Sequence, residues 1–187
     1  MAQRRFHYEK AFEYYLRANH IPYVAVDEAK KSLISNGSAP LSLKSFDFVV
    51  YAANRNLLID VKGRMFGSES GKGRTFESWV TVDDIEGLTH WQELFGADFQ
   101  AVFVFAYCLR QQPPDALFEE VFAFGNRWYA LREVSLDAYR KVMKQRSPKW
   151  KTVYVPAKEF RLISKPFVAR REMTKKDACE APIVGIS

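Results

Sequence analysis

The sequence predicts a mixed α/β fold, a central β-sheet flanked by helices with a C-terminal α+β addition, and three features predict it. Tyr8, Ala11, Phe12, Tyr15 and Leu16 recur at the i, i+3, i+4, i+7, i+8 spacing of one helical face. Ser45 to Tyr51 and Leu57 to Lys62 are two β-rich runs close enough to form a hairpin. Ala101 to Leu109 is an unbroken apolar run, far short of the ~20 residues of a bilayer-spanning helix, and reads as a buried strand.

In chain order, residues 6–18 form the amphipathic helix, which Asn19-His20 and Pro22 end. Tyr23 to Val26 is a short strand, and Asn36-Gly37-Ser38 through Pro40 is turn chemistry. After the hairpin, residues 64–78 carry Gly67, Gly71 and Gly73 with few core formers, which predicts a loop. Thr81 with Asp84 three residues on is a helix start; Ile85, Leu88, Trp91 and Phe95 supply its buried stripe, and Gly96 stops it. A strand over 100–109 follows, and Pro113-Pro114 breaks the chain. Residues 119–124 and 127–133 predict a hairpin around Gly125-Asn126, then a helix near 136–145 and a last strand over 151–155.

This order divides the chain into a core over 1–110, a basic extension packed on it over 111–167, and a loosely ordered tail over 168–187. Composition, 48% hydrophobic and 27% charged, excludes the disordered and fibrous classes. Met1 to Lys10 carries no apolar secretory stretch, and the two cysteines, Cys108 and Cys179, give no disulfide framework. A cytoplasmic protein without membrane association is therefore expected. The formal charge is +6, and the excess is concentrated: residues 141–176 hold twelve Lys/Arg against Glu159 and Glu172. Interleaved with Trp150, Tyr154, Phe160 and Phe167, these cations suit a phosphate backbone with bases to stack on, or serve as a solvated face.

The chemistry concentrates on the hairpin. Alternation places Phe46, Phe48 and Val50 on one face and Asp47, Val49 and Tyr51 on the other, while Asp60 and Lys62 share a face of the next strand. An even-numbered connection such as Ala53 to Asn56 sets Val49 against Asp60 and Asp47 against Lys62, gathering all three charges; a one-residue slip disperses them. Charges on such apolar strands are costly unless paired or metal-bound. Asp47 and Asp60 with the backbone carbonyl of Val61 can hold Mg²⁺, leaving Lys62 to face a phosphate. The plainer alternative is a lateral ion-pair ladder from Asp47 to Lys62 with Asp60 solvated.

The order of these pieces resembles the PD-(D/E)XK nuclease superfamily, particularly its restriction-endonuclease-like and Holliday-junction-resolvase-like members. There a helical Glu precedes an Asp on one strand and an (Asp/Glu)-x-Lys on the next, as Glu9, Asp47 and Asp60-Val61-Lys62 do here, with Phe46 where the family often has proline. Glu9 lies about 20° from Leu16 on the helical wheel, at the edge of the buried stripe; Glu13 is the reserve. The resemblance implies a restriction-endonuclease-like sheet and Mg²⁺- or Mn²⁺-dependent hydrolysis of DNA phosphodiesters, DNA before RNA, by a protein that can form a homodimer. It also implies metal binding by Asp47 and Asp60, positioning of a ligand or water by Glu9, and orientation of the nucleophile by Lys62.

Arg64, Lys72 and Arg74 are expected to close over a DNA strand, and Lys149, Trp150 and Lys151 to contact nucleic acid, Trp150 by stacking. Gly71-Lys72 is followed by Gly73, not Ser or Thr, so it is no P-loop. The competing function is a non-catalytic nucleic-acid-binding module that retains the nuclease fold; a third, an interaction domain unrelated to nucleic acid, predicts no salt-dependent binding.

Overall fold

In the computed structural model, which describes residues 3–26, 44–52, 55–66, 76–109 and 121–167, the apolar runs become one seven-stranded sheet covered on both faces. Helix α1 (Gln3–Ala18) is followed by β1 (Tyr23–Ala25), β2 (Phe48–Ala52), β3 (Arg55–Phe66), β4 (Val80–Thr81) and helix α2 (Val82–Phe95). Then come β5 (Phe99–Leu109), β6 (Phe122–Phe124), β7 (Arg127–Ser135), α3 (Leu136–Val142), β8 (Lys144–Ser147), β9 (Thr152–Tyr154), α4 (Ala157–Ile163) and β10 (Lys165–Pro166).

The main sheet runs β1-β2-β3-β5-β7-β10, with β6 also on β7; only β3 and β5 are parallel, so the sheet is mixed. Parallel neighbours need a crossover, and α2 lies between them in the chain. Period-two alternation separates two cores. On one face Phe48, Val50, Leu57, Ile59, Val61, Val102 and Val104 meet Phe12 and Leu16 of α1. On the other, Val49, Leu58, Phe103, Phe105 and Tyr107 meet Ile85 and Leu88 of α2, Tyr139 of α3 and Phe160 of α4. A second sheet, β4-β9-β8, lies on this side. Buried hydroxyls tie its entry down: Tyr107 donates to Glu77 O at 3.0 Å and Tyr139 to Ser78 O at 2.6 Å. No helix among the described residues is long and apolar enough to cross a membrane.

Helix α2 starts as the sequence implies, with a full capping box at Thr81 and Asp84, and Gly96 closes it at φ 81°. The expected loop starts later than read: β3 continues through Phe66, because Arg64 and Phe66 turn into the same interior as Leu58. Residues 67–75 lie outside the described residues, as do residues 168–187. Within the stretch 121–167, β7 pairs with β5 from Val102↔Ser135 to Leu109↔Trp128. Four elements left no readable pattern. β4 and β10 are two residues each, β8 is the polar KQRS held by pairing with β9, and α4 buries only Phe160.

Candidate metal and nucleic-acid site

The hairpin is tighter than the sequence implied. Ala52 pairs with Arg55 and Phe48 with Ile59, so the connection is two residues and not four. Asp47 consequently does not oppose Lys62. Its amide donates to Ile59 O at 2.8 Å, the same residue that Phe48 pairs with. Two residues facing one make a β-bulge, a device that re-aims a side chain and ends regular pairing. The bulge also explains why Phe46 packs with Val49 and Leu58 on the α2 face while Phe48 and Val50 face α1, contrary to simple alternation.

The Asp47 carboxylate reaches along the strand edge and accepts the Val61 amide at 2.6 Å. Amide and carbonyl of one strand residue point to the same side, so the Val61 carbonyl is turned towards this edge too. Beyond Val61 the described part of β2 no longer accompanies β3, which leaves a notch at the end of the hairpin. Asp60 and Lys62 stand on the α2 face of β3. Lys62 Nζ lies 2.7 Å from Asp60 Oδ2 and 2.9 Å from Asp84 Oδ1, and the lysine is only 9% exposed. Asp84 is 3% exposed, also pairs with Lys44, and accepts the Thr81 amide at 2.7 Å.

The electrostatics follow from burial and crowding. Burial, then the charge of Asp60, push the Asp47 carboxyl well above its ordinary range, and Glu9 pushes the same way. Glu9 on α1 therefore lies within electrostatic reach of Asp47. Burial also raises Asp60, against the pull of Lys62. Lys62 is held above the ordinary lysine value, since Asp60 and Asp84 outweigh a burial that disfavours its charge. Asp84 falls far below the carboxylate range in spite of burial, because Lys62, Lys44 and the Thr81 amide all favour the anion.

Asp47 is thus tied to the Val61 amide, Asp60 and Lys62 pair on the α2 face of the same strand, and Asp60 and Glu9 both act electrostatically on Asp47. Glu13 is engaged elsewhere, with Arg17 at 2.7 Å and the Tyr23 hydroxyl at 2.8 Å. Among the described residues no three His, Cys, Asp or Glu side chains are close enough to form a ligand set by themselves. Two carboxylates and a carbonyl are nevertheless hard oxygen donors, although Asp60 Oδ2 carries the Lys62 ammonium at 2.7 Å, which an entering cation would have to displace. That chemistry suits a hard divalent cation.

Arg64 requires a correction. It lies in β3, not in a loop, and is 8% exposed. Its guanidinium stacks 4.0 Å from the Trp79 ring, donates to Gly63 O at 2.7 Å and also to Trp79 O, so it is internal structure and not a strand-clamping side chain. Lys72 and Arg74 lie outside the described residues. Lys149, Trp150 and Lys151 form the turn between β8 and β9. Trp150 is 71% exposed, with Lys149 Nζ 5.7 Å from its ring centroid, so it anchors no turn. Lys151 O accepts the Val82 amide at 2.9 Å, which fixes this basic turn to the same helix end that carries Asp84.

Asp84 and Lys44 were missed by sequence reading. The Thr81-x-x-Asp84 pattern was visible, but it read only as a helix start; nothing local says that the carboxylate also faces a lysine of β3.

No family model and no curated protein matches the chain. Among solved structures it is similar to Hjc, a Holliday junction resolvase from the archaeal hyperthermophile Archaeoglobus fulgidus, at 15% identity and a TM-score of 0.47, over 84% of this chain and 92% of that one. At this identity and TM-score the likeness assigns neither activity nor substrate to the chain.

Proposed function

We propose that the chain is a divalent-cation-dependent nuclease that hydrolyses DNA phosphodiester bonds. The observation that supports this reading is Asp47 bonded to the Val61 amide, next to Asp60 and its buried lysine partner on the same strand and within the field of Glu9. Mg²⁺ or Mn²⁺ bound there would supply Lewis acidity and a water acidic enough to attack near neutral pH. Asp47 and Asp60 hold the cation with the Val61 carbonyl, and Glu9 positions a ligand or water. Lys62 orients the nucleophile and offsets charge developing on the phosphate. The basic turn at Lys149, Trp150 and Lys151 supports contact with the nucleic acid flanking the cut.

Incubating the protein with plasmid, single-stranded DNA and RNA, with and without Mn²⁺, tests the reading. Cation-dependent cleavage of DNA that Asp47→Asn abolishes is expected. The ion pair between Lys62 and Asp60 favours a second reading, a binding module whose cation seat is closed by its own lysine. That reading expects no Mn²⁺ binding by titration calorimetry, and nucleic-acid affinity indifferent to Asp47→Asn.

Trp150→Ala is expected to weaken binding of a single-stranded oligonucleotide by about tenfold, since stacking of one base on an aromatic ring contributes ~1–3 kcal/mol. Fluorescence anisotropy at several salt concentrations checks this. The salt slope should stay unchanged, because no phosphate-neutralising cation is removed.

A further inference from the structure

We infer that Asp84 is a positioning residue that draws Lys62 away from Asp60, so that the Asp60 carboxylate can accept a divalent cation without stranding a buried ammonium. This rests on the nuclease reading above.

One ammonium stands between two carboxylates, and its two contacts differ in quality. Lys62 makes a hydrogen bond to Asp84 Oδ1 at 2.9 Å. The 2.7 Å contact with Asp60 is an ion pair that leaves Oδ2 without hydrogen-bond geometry. Asp84 is also the better fixed of the two: Oδ2 takes the Thr81 amide at 2.7 Å, and its own amide donates to Thr81 Oγ1 at 3.1 Å, within the first turn of α2. The lysine therefore sits between the two carboxylates, ion-paired with Asp60 and hydrogen-bonded to Asp84 at the helix end.

A buried ammonium keeps a carboxylate partner because the penalty for losing all of them is several kcal/mol. With Asp84 present, Lys62 can relinquish Asp60 and stay paired. Without it, Asp60 is the remaining carboxylate paired with Lys62 among the described residues, and the amine competes directly with any entering cation. Lys44, on the same Asp84 oxygen, shares that carboxylate with Lys62.

A double-mutant cycle read out by Mn²⁺ affinity tests the inference, with calorimetry or Mn²⁺ electron paramagnetic resonance on the full chain without DNA. Asp84→Asn is the first variant, because an amide oxygen still accepts the Thr81 amide and spares the cap. Asp84→Ser, which keeps a cap acceptor of another shape, is the second. Either change is expected to weaken Mn²⁺ binding at least about tenfold, the usual scale for loss of a group behind a ligand. In a Lys62→Met background the same changes should alter affinity less than about twofold, because the competitor is gone.

Equal weakening in both backgrounds would mean that Asp84 acts through its field or through the fold, and overturns the inference. Mn²⁺ binding by Lys62→Met but not by the unmodified protein would leave the carboxylate site standing and overturn the role of Asp84. Absence of Mn²⁺ binding in every variant would remove the nuclease reading and this inference with it.

Discussion

Asp60→Asn is expected to abolish cation-dependent cleavage, by roughly a thousandfold or more, while leaving the fold as stable as before or more stable. Loss of a ligand that fixes the cation forfeits several kcal/mol of transition-state stabilisation, which is the source of that magnitude. The stability half follows from electrostatics. Burial holds the Asp60 carboxyl above its ordinary value, and its charge also pushes Asp47 upward. A group with a raised folded pKa stabilises the fold at acid pH and loses that contribution as pH rises through the folded value. The amide has no such dependence, so its advantage should grow as pH climbs from about 4 towards neutrality. Lys62 stays paired through Asp84. Thermal unfolding over pH 4 to 8 with cleavage assays on the same samples checks both halves; a variant that retains full cation-dependent activity removes Asp60 from the site.

Gly87→Ala should be strongly damaging, although alanine ordinarily stabilises a helix relative to glycine by about 1 kcal/mol. Gly87 is buried in α2, and a Cβ there would lie 2.6 Å from Lys44 O, a backbone atom that cannot swing aside. The same carbonyl accepts Trp91 Nε1 at 3.0 Å, and the Lys44 side chain pairs with Asp84. Residues 44–46 are thus seated on α2 by contacts that a methyl group would prise apart, and Asp47 follows directly. A loss of about 1–3 kcal/mol in denaturant unfolding, the scale of overpacking, is expected together with loss of cleavage. Gly87→Ala as stable as the parent would show that the segment can shift at little cost.

Much of the scaffold was legible because its signals are local. The stripe of Ala11, Phe12, Tyr15 and Leu16, the capping residues of α2 and the apolar run of β5 all act within a few residues of themselves. That Asp60 and Lys62 share a face needed only the two-residue period of a strand; that they pair with each other was not read. Register needed more. The connection is even as read but two residues long, and the bulge at Asp47 turned Phe46 to the opposite face; no residue type announces a bulge. Arg64 was misread because composition marks where loops become polar, whereas β3 ends where its packing ends. Asp84 stayed hidden because its partner is 22 residues away in sequence and meets it only across a crossover.

That crossover sets the order of events when the chain folds. β3 and β5 run side by side in the same direction, so they cannot zip from a turn, and their pairing waits on the crossover that includes α2. Such non-local pairing is slow, and the bridge from Lys62 to the end of α2 can close only once it is complete. The charges of Asp60, Lys62 and Asp84 are thus expected to lose their water late, together with the counter-charges that relieve their burial.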